Sequence, residues 1–168
     1  MKKTFTVAVL VHNRFGVLNR VTSMFRRRRF NIASLTVSET ESPDYSRITV
    51  RSDGEGTAKA QLMDQLYKLP DVVSIKELYS EDTVSCEVLL IKMKNDPESR
   101  ADIRAAADAF GATTVDYTRN ATVFQITSDS DSIDRFIDLM RDYSILEICR
   151  TGVVSLERGT ETLRENDN

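Results

Sequence analysis

The stretch LVHNRFGVLNRV, residues 10–21, joins a strand to a helix through a short polar turn that contains one glycine. Upstream of the turn, a strand is predicted from Thr4 to His12, because Phe5, Val7, Val9 and Val11 fall on one side, the period of a strand with one buried face. Downstream, one stripe of an amphipathic helix is formed by Val17, Leu18, Val21, Met24 and Phe25. This segment therefore predicts the first step of a fold in which strands and helices alternate.

The first half of the chain continues this step into the order β-α-β-β-α-β. Two strands are predicted over 31–39 and 46–52, because the turn residues Ser42-Pro43-Asp44 separate two strand-like runs. A second helix is predicted over 57–67, with a threonine at its N-cap. Residues 71–78 form the fourth predicted strand.

The second half repeats this order. Its predicted elements are a strand at 85–93, a helix that starts at Asp96-Pro97, strands at 113–118 and 122–128, a helix after 128–131 and one closing strand at 145–157. Asp96 is the predicted N-cap of its helix and Pro97 the first helical residue. Gly152 is predicted to form a bulge within the closing strand.

The repeated order predicts an α+β protein with two ferredoxin-like βαββαβ domains. The predicted domains are 1–79 and 80–160, followed by a polar tail at 161–168. Each sheet then carries helices on one face only. Ile32 and Leu35 are expected on opposite faces of the second strand, so another subunit is expected to seal part of the uncovered face. The sequence thus predicts a homo-oligomer.

The composition limits the classes of partner. The chain has 168 residues, 40% hydrophobic and 29% charged, with a formal net charge of −3, and its pI is near 5.3. This balance argues against nucleic acid, and the arginine run at 26–29 is better explained as cations at a helix C-terminus. No apolar run approaches the ~20 residues that cross a bilayer, and the N-terminal segment is interpreted as a strand. We expect a cytoplasmic protein without nucleic-acid or membrane partners.

Few side chains in the sequence could carry catalysis or hold a metal. The chain has one histidine, His12, and two cysteines, Cys86 and Cys149, which lie far apart in apolar runs. This set provides no zinc motif of usual spacing, and the sequence contains no GxSxG nucleophile signature. Acidic pairs such as Glu81-Asp82 lie in predicted loops or helix starts, where they act as caps or solvated charge. We expect no catalytic or metal site, and turnover by the chain alone would contradict this.

The polar turn at 13–16 has the chemistry of an anion site. A helix N-terminus presents unpaired N–H groups and the positive end of the helix dipole. Gly16 has no side chain and lets a ligand approach those groups, while the amide of Asn13 supplies a donor and an acceptor. These groups suit a zwitterion, whose carboxylate meets the helix and whose ammonium meets side-chain and main-chain oxygens. The alternative is a capped helix with a tight turn and no ligand.

Four segments of the chain, taken together, resemble one protein family. They are HNRFGVLNRV (12–21), FNIASLTVSETESPDYSRITV (30–50), YKLPDVVSIKEL (67–78) and CRTGVVSLERG (149–159). They resemble the small regulatory subunit of acetohydroxyacid synthase, also called acetolactate synthase, in the right order along nearly the whole chain. The N-x-x-G-x-L motif at Asn13, Gly16 and Leu18 resembles an amino-acid-binding ACT domain. The F/Y-N-I-x-S-L motif from Phe30 and the R-T-G-V-V motif from Arg150 make the resemblance specific to this subunit.

The resemblance implies a non-catalytic protein that activates a catalytic subunit dependent on thiamine diphosphate and confers feedback inhibition by valine. It also implies a homodimer formed through the ACT domain, with effector sites between the two protomers. Thiamine diphosphate, Mg²⁺ and FAD are then expected only in the catalytic partner, and no cofactor is expected in this chain. The alternative function is a free-standing amino-acid sensor that uses the same pocket without this partner.

The resemblance also assigns roles to individual residues. Gly16 and the N–H groups that follow it, from Val17 onward, would receive the carboxylate of valine. Asn13 of one protomer and Asn31 of the other would hydrogen-bond the zwitterion. These four residues form the polar part of the predicted effector site.

The predicted effector site also includes apolar positions, and the chain departs from the family pattern at two places. Leu18 and Ile32 are candidates for an apolar wall, with plain core positions as the alternative. Phe15 stands where relatives often have proline. The loop is therefore expected to be less restrained, and the aromatic ring is expected to alter access of the effector to the site. Arg29 stands where the family commonly has glycine. If the backbone of Arg29 is left-handed, its side chain lowers the stability of the fold by about 1 kcal/mol relative to glycine.

Overall fold

The computed structural model describes residues 4–54 and 56–164. Its strands are β1 (Thr4–His12), β2 (Ile32–Glu39), β3 (Tyr45–Asp53), β4 (Val72–Leu78), β5 (Thr83–Lys94), β6 (Thr113–Tyr117), β7 (Ala121–Ser128), β8 (Ile145–Arg150) and β9 (Val154–Glu157). Its helices are α1 (Val17–Arg27), α2 (Thr57–Tyr67), α3 (Arg100–Ala109) and α4 (Ser130–Met140). Within the two described ranges, no helix is long and apolar enough to cross a membrane.

The first sheet is antiparallel and has the strand order β2-β3-β1-β4. The alternating apolar side chains of β1 lie on one face of this sheet, where Val7 and Val9 are fully buried. They pack against α1 and α2, which contribute Phe25 and Leu62 to the same core. The predicted β-α-β-β-α-β arrangement of the first half is confirmed.

The second sheet repeats this plan with the order β6-β7-β5-β8. Ile91 of β5 and Phe124 of β7 pack with Ile103 of α3 and with Ile133 and Phe136 of α4. The predicted class, α+β with two ferredoxin-like sheets, is therefore confirmed.

The chain divides into two compact units whose limits differ from the predicted domains. One unit comprises Met1–Ser85 and Val153–Asn168, and the other comprises Cys86–Gly152. The predicted domains, 1–79 and 80–160, place the residues after Gly152 in the second domain. In the structure, the segment after Gly152 groups with the first unit, and its Leu163 is buried against side chains of that unit.

The described part of the final segment, residues 153–164, is named here the C-terminal strap. Leu163, only 8% exposed, packs in a small apolar cluster with Ala8, Leu10 and Leu78. Ala8 and Leu10 alternate with the core-facing valines of β1, so the strap covers the sheet face opposite the helices. The predicted polar tail at 161–168 is therefore wrong for Leu163, and residues 165–168 lie outside the described ranges.

Two local predictions in the second half are wrong. Gly152 has φ +82° and separates β8 from β9, so it is a break between two strands rather than a bulge within one. Helix α3 has Ser99 at its N-cap and begins at the next residue. Asp96 instead accepts a hydrogen bond from the N–H of Glu98 (3.2 Å), in a turn that precedes the helix.

A β-bulge changes the predicted faces of β2. Ile32 pairs with Ser52 and Leu35 with Val50, because the register shifts between Ile32 and Ser34. The extra residue brings Ile32 and Leu35 to the same face, where both pack against the core of the first unit. The expectation that they lie on opposite faces is therefore wrong, and these two side chains no longer argue for a covering subunit.

Candidate functional site

The turn between β1 and α1 presents the helix N-terminus that the sequence predicts. Gly16 occupies the N-cap position with φ +82°, a left-handed conformation that glycine adopts without steric cost. A Cβ atom at Gly16 would meet no heavy atom within 4 Å, so the space beside it is open. The N–H of Val17 donates to the carbonyl of Arg14 (3.3 Å). The N–H groups of Leu18 and Asn19 precede that of Arg20, which donates to Gly16 (3.0 Å), so they have no acceptor within the helix. This end of α1 can therefore donate hydrogen bonds to an anion.

Asn13 is held by the hairpin that connects β2 and β3. Its side-chain Nδ2 donates to Glu39 Oε1 and to the carbonyl of Pro43, both at 3.0 Å. Its backbone N–H donates to the carbonyl of Asp44 (2.7 Å). The structure thus places a carboxylate and main-chain oxygens beside the turn, where an ammonium group could be bound.

Glu39 is a residue of this site that was not predicted from the sequence. It is the last residue of β2, and in sequence it resembles any polar residue at the end of a strand. Only the pairing of β2 with β3, and of β3 with β1, brings its carboxylate to Asn13. The only sign of Glu39 in the sequence was an acidic residue at the end of the second predicted strand.

The apolar members of the predicted site differ in exposure. Val17 is buried in the core of the first unit, so its side chain is not available to a ligand. Leu18 is 42% exposed and Phe15 is fully exposed. The helix stripe predicted from the sequence therefore includes one side chain, Leu18, that does not belong to the core. Phe15 and Leu18 provide apolar surface on either side of Gly16.

Asn31 and Ile32 lie far from the turn within one chain. Asn31 Nδ2 donates to Asp53 Oδ2 (3.0 Å), and its carbonyl accepts from Ser52 Oγ (2.6 Å). It precedes β2, whereas Glu39, the contact of Asn13, ends β2. A strand of eight residues spans about 25 Å. A single chain therefore does not bring Asn31 to the turn, and the half-buried Ile32 packs on its own core.

An ion pair ties the turn to the start of β4. The guanidinium of Arg20 on α1 pairs with the carboxylate of the buried Asp71. The carbonyl of Asp71 accepts from the N–H of His12 (2.9 Å). The strand before the turn and the helix after it are thereby both bonded to Asp71. Among the described residues, no group of three or more histidine, cysteine or acidic side chains could hold a metal ion.

Comparison with known proteins defines first the class and then the family. Residues 7–74 match the family model described as the AHAS small subunit-like ACT domain, so the first unit is an ACT-type regulatory domain. Residues 86–159 match the model for the small subunit of acetolactate synthase. The chain belongs to the family of acetolactate synthase small subunits.

Individual relatives extend this likeness over nearly the whole chain. The chain is 43% identical to a probable acetolactate synthase small subunit of Archaeoglobus fulgidus, over 93% of this chain and 98% of the relative. It is 40% identical to the acetolactate synthase small subunit of Bacillus subtilis, over 96% and 93% respectively. The crystal structure of the small subunit from Thermotoga maritima aligns with a TM-score of 0.86 and 34% identity, covering 95% of this chain and 99% of that one.

Proposed function

We propose that this chain activates the thiamine-diphosphate-dependent catalytic subunit of acetolactate synthase and makes it sensitive to feedback inhibition by valine. The observation that carries the valine assignment is the open N-terminus of α1 at Gly16 beside the carboxylate of Glu39. Membership of the small-subunit family supports the assignment of the partner. The chain itself contributes no catalytic group, and it acts in the cytoplasm.

The turn offers a partner for each charged group of an amino acid. The carboxylate of valine is bound by the N–H groups that follow Gly16 and lack an intrahelical acceptor, those of Leu18 and Asn19, with the helix dipole adding to the attraction. Its ammonium group is bound by Glu39 and by the side-chain oxygen of Asn13. The isopropyl group lies against the exposed part of Leu18. The ligand class is thus a zwitterion with a small apolar side chain.

A homodimer completes this site. β2 is an edge strand of the first sheet, and its free edge can pair with the same strand of a second copy. In an antiparallel pair, the start of one β2 lies beside the end of the other. Asn31 and Ile32 of one protomer then approach Asn13 and Glu39 of the other, across the distance that a single chain cannot close.

Thiamine diphosphate, Mg²⁺ and FAD are assigned to the catalytic subunit, and no cofactor is assigned to this chain. The small subunit then acts on the reaction only through binding, by favouring an active state of its partner and, when valine is bound, a less active one. Such control requires differential affinity for the two states and no chemistry of its own.

A valine titration of the reconstituted enzyme tests the proposal. Gly16→Asp places a carboxylate beside the N–H groups that hold the valine carboxylate, so it fills the anion site and repels the effector. We expect activation to remain while the valine concentration for half-inhibition rises roughly tenfold or more, a change of about 1.4 kcal/mol. Asn31→Ala removes one hydrogen bond and shifts the midpoint less, by roughly 0.5–1.5 kcal/mol.

Gly111→Asp is the matched control. Gly111 also has positive φ (+69°) and open space around it, but it lies in the second unit. The Gly111→Asp variant reproduces the backbone strain of Gly16→Asp at a place without an anion site, so valine inhibition should stay unchanged. Equal inhibition of wild type and Gly16→Asp would show that the turn is only a helix cap. A wild-type chain that binds valine and does not change the activity of its catalytic subunit would favour the free-standing sensor.

A further inference from the structure

The C-terminal strap is attached to the first sheet by specific contacts as well as by Leu163. Ser74 Oγ on β4 donates to the carbonyl of Leu163. Lys76, also on β4, pairs with Glu157 (2.8 Å) and Glu161 (3.2 Å), and the hydrogen bond to Glu157 raises the pKa of Lys76. These contacts hold the strap in one register on the sheet.

The last described residue of the strap extends this attachment toward the effector turn. The guanidinium of Arg164 lies over the ring of Tyr45, 4.5 Å from its centroid. The ring of Tyr45 stacks on that of His12, with centroids 5.3 Å apart. His12 immediately precedes Asn13. A continuous stack of three side chains therefore connects the strap to the turn that binds the effector.

A second path runs through the hairpin between β2 and β3. Arg164 lies 3.6 Å from the carboxylate of Glu41, and Glu39, two residues earlier, holds the side chain of Asn13. The strap, β2 and β3 border a cavity of about 540 Å³, whose lining includes Glu39, Glu41 and Arg164. The hairpin thus contacts the effector turn through Glu39 and the strap through Glu41.

We propose that Leu163 and Arg164 are positioning residues for the effector turn, and that docking of the strap and binding of the effector stabilise each other. This inference rests on the proposed function for its ligand, valine. The docked strap restrains His12, Tyr45 and the hairpin before valine arrives. The ordering cost of the site is then already met, and valine binds more tightly to the docked state. Because such coupling is reciprocal, bound valine holds the strap in place by the same factor.

The first measurement is valine binding to full-length variants by calorimetry, well below their melting temperatures. We expect Arg164→Ala and Leu163→Ser each to raise the dissociation constant of valine by about fivefold or more, the lower range of allosteric coupling. Activation of the catalytic subunit should persist. Tyr45→Phe keeps the stacked ring and should bind valine like wild type, whereas Tyr45→Leu removes the ring and should resemble Arg164→Ala.

Arg158→Ala is the matched control on the same strap. The side chain of Arg158 is exposed and makes no ion pair within the part of the chain that the structure describes. The Arg158→Ala variant should leave valine binding unchanged. A purely structural strap would lower the melting temperature of Arg164→Ala without changing the valine dissociation constant, and this result would overturn the inference.

Hydrogen exchange tests the coupling without valine and separates it from the proposed function. In the ligand-free protein, Arg164→Ala should accelerate exchange of the amides at 12–17 and 40–45, and leave the second unit at wild-type rates. Acceleration limited to the strap would overturn the inference, whatever ligand the turn binds. If wild type shows no valine binding but the turn responds to Arg164→Ala, the positioning role stands and the assignment of valine fails. Saturating valine should slow exchange across 157–164 in wild type, and unchanged exchange would contradict reciprocal coupling.

Discussion

Arg29 adopts φ +59°, and it is the one non-glycine residue with positive φ in the described ranges. It lies just after the C-terminus of α1, where the N–H of Arg29 donates to Arg26 and that of Phe30 to Phe25. A left-handed residue at this position lets the chain leave the helix and enter β2. The condition stated from the sequence, that Arg29 is left-handed, is met, and its side chain therefore imposes a steric cost there.

Arg29→Gly should stabilise the protein. Relief of the left-handed strain is worth about 1–2 kcal/mol, and the greater freedom of glycine in the unfolded chain offsets part of it. We expect a net gain of about 0.5–1 kcal/mol in the free energy of unfolding, measured by urea denaturation. Arg29→Ala keeps the backbone strain and should give no gain. If alanine and glycine stabilise equally, the gain comes from removing the arginine charge and not from the backbone.

Among the elements, β5 and β8 of the second unit share a buried charge. Glu87 on β5 is 2% exposed, and its carboxylate accepts from Arg150 Nε on β8 and from Ser130 Oγ on α4. Arg150 also pairs with Asp134 of α4 (2.6 Å). The arginine of the R-T-G-V-V segment therefore joins two strands and a helix, and the sequence contains no local sign of this pairing.

Arg150→Ala should destabilise the second unit strongly. It leaves the carboxylate of Glu87 buried without its cation, which typically costs about 3–5 kcal/mol. The double variant Glu87→Leu/Arg150→Met removes both charges at similar volume and should recover most of that loss. Thermal and urea unfolding of the three proteins measures the difference. A double variant as unstable as Arg150→Ala would show that the loss comes from packing and not from an unpaired charge.

For the whole molecule, the open edge of β2 determines the proposed dimer. Ala33 lies at the register shift between β2 and β3, so a proline there removes a donor that the ladder with β3 does not require. We expect Ala33→Pro to block pairing with a second copy and to give a monomer with weakened valine binding. Light scattering coupled to gel filtration measures the mass, and circular dichroism checks that the fold is retained.

Val115→Pro is the control for this experiment. Val115 lies at the corresponding register shift in β6, the edge strand of the second sheet. The Val115→Pro variant should leave the oligomeric state unchanged if β2 forms the interface. A dimer that survives Ala33→Pro but is lost with Val115→Pro would place the interface on the second unit.

The sequence by itself determined the order of the elements and the open turn at Gly16. Alternation, helical periodicity and turn residues depend on neighbours within a few positions, so they can be recognised without the fold. The strand from Thr4 to His12 matches its predicted limits for this reason, and the second helix ends at Tyr67 as predicted. Its predicted N-cap is wrong, because Gly56 occupies that position and Thr57 is the first helical residue.

Tertiary structure alone decided how distant segments combine. The bulge that turns Ile32 and Leu35 to one face depends on the register between β2 and β3. The contact of Glu39 with Asn13 depends on which strands are neighbours. The burial of Leu163 joins segments more than 80 residues apart. Each outcome is set by packing between residues that are remote in sequence, and no local pattern records which remote segments meet.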